Sequence, residues 1–146
     1  MVDGSVLVSK LEDIDRFTEE LRDMSETSKD EYLSNVVVQR AVERTLMNVV
    51  QACIDIARHI RTTAELGTAE TAAKEIRALS EADIISTRTG EKLEEAVGFR
   101  NLLAHRYGEI DHDLVYEVLQ EDLEWFERYQ REIADWYRER AFDEEP

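Results

Sequence analysis

The chain has 146 residues, with 34 Asp and Glu against 18 Lys and Arg and a formal net charge of −16. That length suits one domain, and one proline and five glycines are too few to punctuate a many-turned β-sandwich or barrel, so the expected class is all-α. The charge excludes nucleic-acid binding through a broad basic face, because phosphate neutralisation needs Lys and Arg, but it leaves room for a small, focused cationic site.

Five helices are expected, packed as an antiparallel bundle with short connections. The first covers about 6–24, where Val6, Leu7, Leu11, Ile14, Phe17 and Leu21 recur at helical spacing. Polar Ser25 to Ser28 reads as a turn with hydroxyl caps. The second helix, about 29–64, is apolar around most of its circumference and so belongs in the core. Its polar residues, Arg40, Arg44, Asn48, Gln51, Asp55 and His59, fall three or four apart in one stripe. Leu66-Gly67-Thr68 supplies a C′ glycine and a fresh cap. A short third helix follows over about 69–79. Ser86 or Thr89 caps a fourth that reaches His105, with Gly90 as a weak spot early in it. Asp111 caps a long fifth helix, about 112–140, striped by Val115, Leu119, Phe126, Tyr129, Ile133 and Trp136. One domain over 1–142 and a frayed acidic tail over 143–146 complete the expectation.

Other features narrow the setting. No uncharged stretch approaches the roughly 18 apolar residues of a membrane span. Met1 to Ser9 lacks the basic start and the apolar run of a signal peptide, so a cytoplasmic protein without membrane attachment is expected. Lone Cys53 rules out an internal disulfide framework or a multi-cysteine metal site and reads as core filler. Lys occurs only at Lys10, Lys29, Lys74 and Lys92; carboxylate-rich, lysine-poor surfaces resemble those of proteins from salt-loving organisms, a plain acidic mesophile being the alternative.

The fourth helix carries one physical anomaly. Leu93, Ala96, Val97, Leu103 and Ala104 form an apolar stripe, and Arg100 falls in its middle. A guanidinium there needs a carboxylate such as Asp55, a cleft or another subunit. His105 lies about 140° from Arg100 on a regular helix, so the two converge only through local unwinding, the arginine's reach or a symmetry-related copy. Alone, His105 reads as a cap at a helix C-terminus, and Tyr107 as a half-buried aromatic. Asp55 and His59 make either an i,i+4 pair on a partly exposed face or an orienting pair beside the Arg100 cleft. His59, His105 and His112 lack a zinc spacing, and no metal or other cofactor is expected.

The stretch Phe99-Arg100-Asn101-Leu102-Leu103-Ala104-His105-Arg106-Tyr107 resembles the R-N-x-x-x-H-x-Y signature of HepT-like proteins, the former DUF86 group of the HEPN ribonuclease superfamily. Gly90-Glu91-Lys92-Leu93, Val97-Gly98-Phe99, Ile110-Asp111, Arg40-Ala41-Val42-Glu43 and Asp55-Ile56-Ala57-Arg58-His59 are similar to the same pattern, so the resemblance covers most of the chain. It implies a homodimer of helical bundles, each supplying catalytic Arg100 and His105 to a shared cleft, supported by Asn101, Tyr107, Asp55 and His59. It further implies a metal-independent toxin that cuts RNA, tRNA being the target it suggests most readily. Its partner would be a minimal nucleotidyltransferase antitoxin that attaches AMP to Tyr107. A non-catalytic HEPN dimer, serving as binding partner or substrate-binding subunit of a nucleotidyltransferase, is the alternative.

Overall fold

The computed structural model describes residues 2–105 and 109–144, with side chains through Arg140. Among these residues the chain is all helix, in seven elements: α1 (Gly4–Met24), α2 (Lys29–Ser34), α3 (Val36–Thr63), α4 (Ala72–Glu81), α5 (Thr87–His105), α6 (His112–Glu121) and α7 (Leu123–Glu144). α3 is the hub. It packs against every other helix, while α4 also lies on α5, and α7 on α1 and α5.

Two of the expected helices are each divided. Asn35 takes an extended conformation (φ −119°, ψ 99°) and its side chain caps α3 by accepting from the Val38 N–H. Three β-branched valines follow it, and their stiff side chains give little reason to continue the preceding helix. Gln39 then donates to the Tyr32 and Leu33 carbonyls at the end of α2 (2.9 and 3.2 Å), answering groups that a helix end leaves open. The second break is at Asp122 (φ −106°, ψ −2°), whose N–H still bonds the Val118 carbonyl. It separates α6, which lies beside α2, from α7, which lies on α1 and α5. No proline or glycine marks this break; the change of packing surface does.

Other ends fall close to their expected places. Asp111 caps α6, accepting from Leu114 N. Ser86 accepts from Thr89 N at the start of α5. Its own N–H donates to Glu132 of α7 at 2.6 Å, and Glu132 also takes the Thr89 hydroxyl, so a distant carboxylate does the work a local capping box would do. α3 ends differently from expectation: Glu65, not Gly67, holds the left-handed position next to the Ala64 cap (φ 56°), and the Leu66 N–H closes on the Arg61 carbonyl. Thr71, not Thr68, caps α4. α7 continues through Glu144, past the point where a tail was expected.

The core is built from the expected stripes. Leu7, Ile14 and Leu21 of α1, Leu93 and Val97 of α5, Val115 and Leu119 of α6, and Phe126, Tyr129 and Ile133 of α7 are buried around α3. The Tyr129 hydroxyl donates to the carbonyl of buried Cys53 at 2.8 Å, and burial pushes both the Tyr129 phenol and the Cys53 thiol up. Buried Glu75 of α4 is met by Arg58 and Arg61 of α3, the bonded charges that burial demands.

Gly90 is a contact rather than a weak spot. A β-carbon there would stand 2.9 Å from the Ser80 Cβ, so the bare glycine lets α4 and α5 approach closely. Gly90→Ala should therefore destabilise by about 1–3 kcal/mol through overpacking, despite alanine's better helix propensity. Ser80→Gly in the same chain should recover part of that loss in a denaturation series. Additive effects of the two changes would deny the contact.

Candidate functional site

Arg100 sits on the face of α5 turned towards α3, half-buried. One Nη donates to Gln51 Oε1 (2.5 Å) and the other to Asn101 Oδ1 (2.9 Å). Its Nε is buried and without a partner among the described residues. Asp55 is not its direct partner. Gln51 stands between them, its Nε2 donating to Asp55 Oδ1 at 2.9 Å, and Asp55 is neutralised from elsewhere, by Lys10 at 3.3 Å and more loosely by Arg58 at 4.0 Å. The guanidinium is thus oriented by two neutral carbonyl oxygens that leave its charge uncompensated. Such an arrangement suits an anion that arrives from outside.

Arg100 borders a cavity of about 170 Å³. Ala96, Phe99 and Leu103 of α5 line it, with Trp125 and Phe126 of α7 opposite. Two carboxylates line it as well, Glu95 and Asp122, and Glu95 pairs with Lys92, another lining residue, at 3.7 Å. Partial burial, with help from nearby Glu121, Glu117 and Glu95, holds the Asp122 carboxyl above its usual range against the pull of Lys92.

His105 is the last residue of α5 and is exposed. Because α5 stays helical from Arg100 through His105, the two side chains leave it about 140° apart, with about 7.5 Å of rise between them. Unwinding between them therefore does not bring them together. His59 is held away from Arg100: its Nε2 accepts the Asp3 N–H at 3.1 Å, at the start of α1 and about 12 Å along α3 from Gln51. Asp3 in turn caps α1, and its carboxyl is lowered by hydrogen bonds from Ser5 and Val6. Of the expected constellation, the structure joins Arg100, Asn101 and, through Gln51, Asp55. Tyr107 lies outside the described residues. Among the described residues no group of His, Cys, Asp or Glu is arranged to hold a metal ion, and no helix is long and apolar enough to cross a membrane.

Gln51 is the site residue that charge-based reasoning passed over. Its place in the α3 stripe, one turn before Asp55, was the available signal.

Comparison with known proteins agrees over nearly the whole chain. The family model for HepT-like ribonucleases matches residues 11–133. A tRNA nuclease HepT of Aphanizomenon flos-aquae is 29% identical over 135 residues, 92% of each chain. An mRNA nuclease HepT of Shewanella oneidensis is 27% identical over 126 residues, covering 86% of this chain and 94% of that one. Among solved structures, a tri-AMPylated HEPN toxin of Shewanella oneidensis in complex with an MNT antitoxin superimposes with a TM-score of 0.85 at 26% identity, over 91% of this chain and 99% of the other.

The neutral partnership of Arg100 is open to a direct check. Gln51→Glu would set a carboxylate against the guanidinium and cancel its charge. Affinity for an RNA oligonucleotide should fall about tenfold with helical content retained, as read by fluorescence anisotropy and circular dichroism. Unchanged affinity would mean that Arg100 does not contact the RNA.

Proposed function

We propose that this chain, which belongs to the HepT-like ribonuclease family, is an endoribonuclease toxin whose Arg100 and His105 cleave RNA without a metal. The observation that carries the reading is the uncompensated guanidinium of Arg100, held by Gln51 and Asn101 at the edge of a cavity. RNA brings its own nucleophile, the 2′-hydroxyl beside the scissile phosphate. As that oxygen attacks phosphorus, the bond to the 5′-oxygen breaks, leaving a cyclic phosphate and a free 5′-hydroxyl. The attacking hydroxyl must lose a proton and the leaving oxygen must gain one. Histidine is the side chain suited to either transfer near neutral pH, and Arg100 faces the charge that builds on the phosphorane oxygens.

His105 and Arg100 diverge on one helix, so the complete site is shared between two chains of a homodimer, each contributing both residues. Light scattering in high salt should give about twice the 17.0 kDa of one chain. His105→Ala should keep that mass and the helical signal while RNA cleavage falls by about 10² to 10⁴, and EDTA should leave the wild type unaffected. Cleavage by His105→Ala at the wild-type rate would reduce the histidine to a helix cap. A strict monomer with full activity would end the shared-site reading.

Regulation follows from the Tyr107 position of the family motif. A cognate nucleotidyltransferase antitoxin would direct the Tyr107 hydroxyl onto the α-phosphate of ATP, releasing pyrophosphate and leaving AMP on the tyrosine. The related toxin of Shewanella oneidensis is tri-AMPylated, which supports one or more such units here. The added phosphodiester would compete for Arg100 while the nucleoside blocks the cleft. Co-expression with the antitoxin should raise the mass by whole AMP units that peptide mass spectrometry places on Tyr107. Tyr107→Phe should remain unmodified; neutralisation without a mass change would refute this route and leave the nuclease reading standing.

A further inference from the structure

The polar stripe of α3 extends beyond the residue that holds Arg100. Arg44 lies seven positions before Gln51, about 20° away around the helix and about 10 Å along it, so both project from the same side. Arg40, one turn earlier, is taken up by Glu43 through both carboxylate oxygens (3.1 and 3.0 Å). Arg44 is exposed, and no carboxylate among the described residues pairs with it. In a chain with nearly twice as many acidic as basic residues, Arg44 belongs to the minority of bases that, among the described residues, face no acid, and of these it is the one that shares the α3 stripe with Gln51.

The two arginines border neighbouring depressions. Arg44 lines a second cavity, of about 220 Å³, with Met47, Leu103, Ile110 and the paired Arg40 and Glu43. Leu103 also lines the Arg100 cavity, so one buried leucine is the shared wall of two neighbouring depressions. Carboxylates line both, Glu43 in one and Glu95 and Asp122 in the other, yet among the described residues neither Arg44 nor Arg100 is paired with one. The spacing suits successive features of one bound strand: charge at both ends and an apolar floor between.

We infer that Arg44 holds a phosphate flanking the scissile one and so positions the RNA strand across Arg100. This rests on the nuclease reading above and adds to it a binding contact outside the reacting atoms. Arg44 is a positioning residue: it acts on how the strand lies, not on the bond that breaks. Its loss should therefore appear in KM more than in kcat.

The test is cleavage and binding of single-stranded RNA by the full chain across a salt series, comparing wild type, Arg44→Gln and Arg44→Lys. Arg44→Gln should raise KM about tenfold with kcat within about twofold. It should also make the salt dependence of binding shallower by about 0.7 in the log–log slope, the loss expected for one phosphate contact on a single strand. Arg44→Lys should restore most of the KM, because a point charge still serves a phosphate. Wild-type KM and slope in Arg44→Gln would overturn the inference, as would a fall in kcat at unchanged KM. Loss of helical signal in Arg44→Gln without rescue by Arg44→Lys would assign the residue a structural role and overturn it too. A wild type that neither binds nor cleaves RNA would instead overturn the nuclease reading and this contact with it.

Discussion

The constraint on which the molecule turns is the enclosure of α3. A helix surrounded by six others can carry few polar groups on its packed sides, and those it does carry there need partners, as Gln39 and Glu43 have. Val42, Leu46, Val49, Cys53, Ile56 and Ile60 face the packed sides, and the remaining line is left for Arg40, Arg44, Gln51, Asp55 and His59. That line serves two ends. At one, His59 accepts from the start of α1 and Asp55 meets Lys10, fastening the neighbouring helix. At the other, Gln51 reaches Arg100. Fastening a neighbouring helix and orienting Arg100 are thus divided along a single strip of α3.

The chemistry of Arg100 depends on which partners it lacks. A carboxylate in place of Gln51 would give a self-contained ion pair, more comfortable in isolation and less useful. Two amide oxygens orient the guanidinium without cancelling it. The cost is an incompletely satisfied cation, with Nε unpartnered; leaving a charged donor unsatisfied is expensive. On the proposed reading, the same group would gain from an incoming phosphate. The chain as a whole carries −16, so any attraction for a polyanion would have to come from a local cationic site such as this one.

Much of this was legible in the sequence because periodicity and caps are local signals. The core faces of α1, α5 and α7, the Asp111 and Ser86 caps and the misfit of Arg100 on an apolar stripe all follow from residue spacing. The divisions at Asn35 and Asp122 were not legible in the same way. An asparagine before three valines is compatible with a continuing helix until Gln39 is seen to bond the carbonyls of α2. Asp122 breaks its helix because α6 and α7 lie on different neighbours, which no local pattern records. Asp55 looked the better partner for Arg100 because pairing rules favour opposite charges; the amide one turn earlier is nearer, and Lys10 reaches the aspartate from α1. Gly90 read as a helix fault since the facing serine, on another helix, is invisible to a window of sequence.

The mooring of α5 has a consequence for how such a chain can vary in length. Its start is fixed by Ser86 and Glu132 and by the bare contact of Gly90 with Ser80, and Arg100 and His105 are carried further along the same rod. One residue gained or lost between 91 and 99 would turn everything beyond it by about 100°. The helix would survive, yet Arg100 would rotate off Gln51 and out of its groove. An extra residue in the connection between Ala64 and Thr71 would disturb neither. The interval from Gly90 to Arg100 therefore tolerates no insertion and acts as a ruler whose unit is one residue.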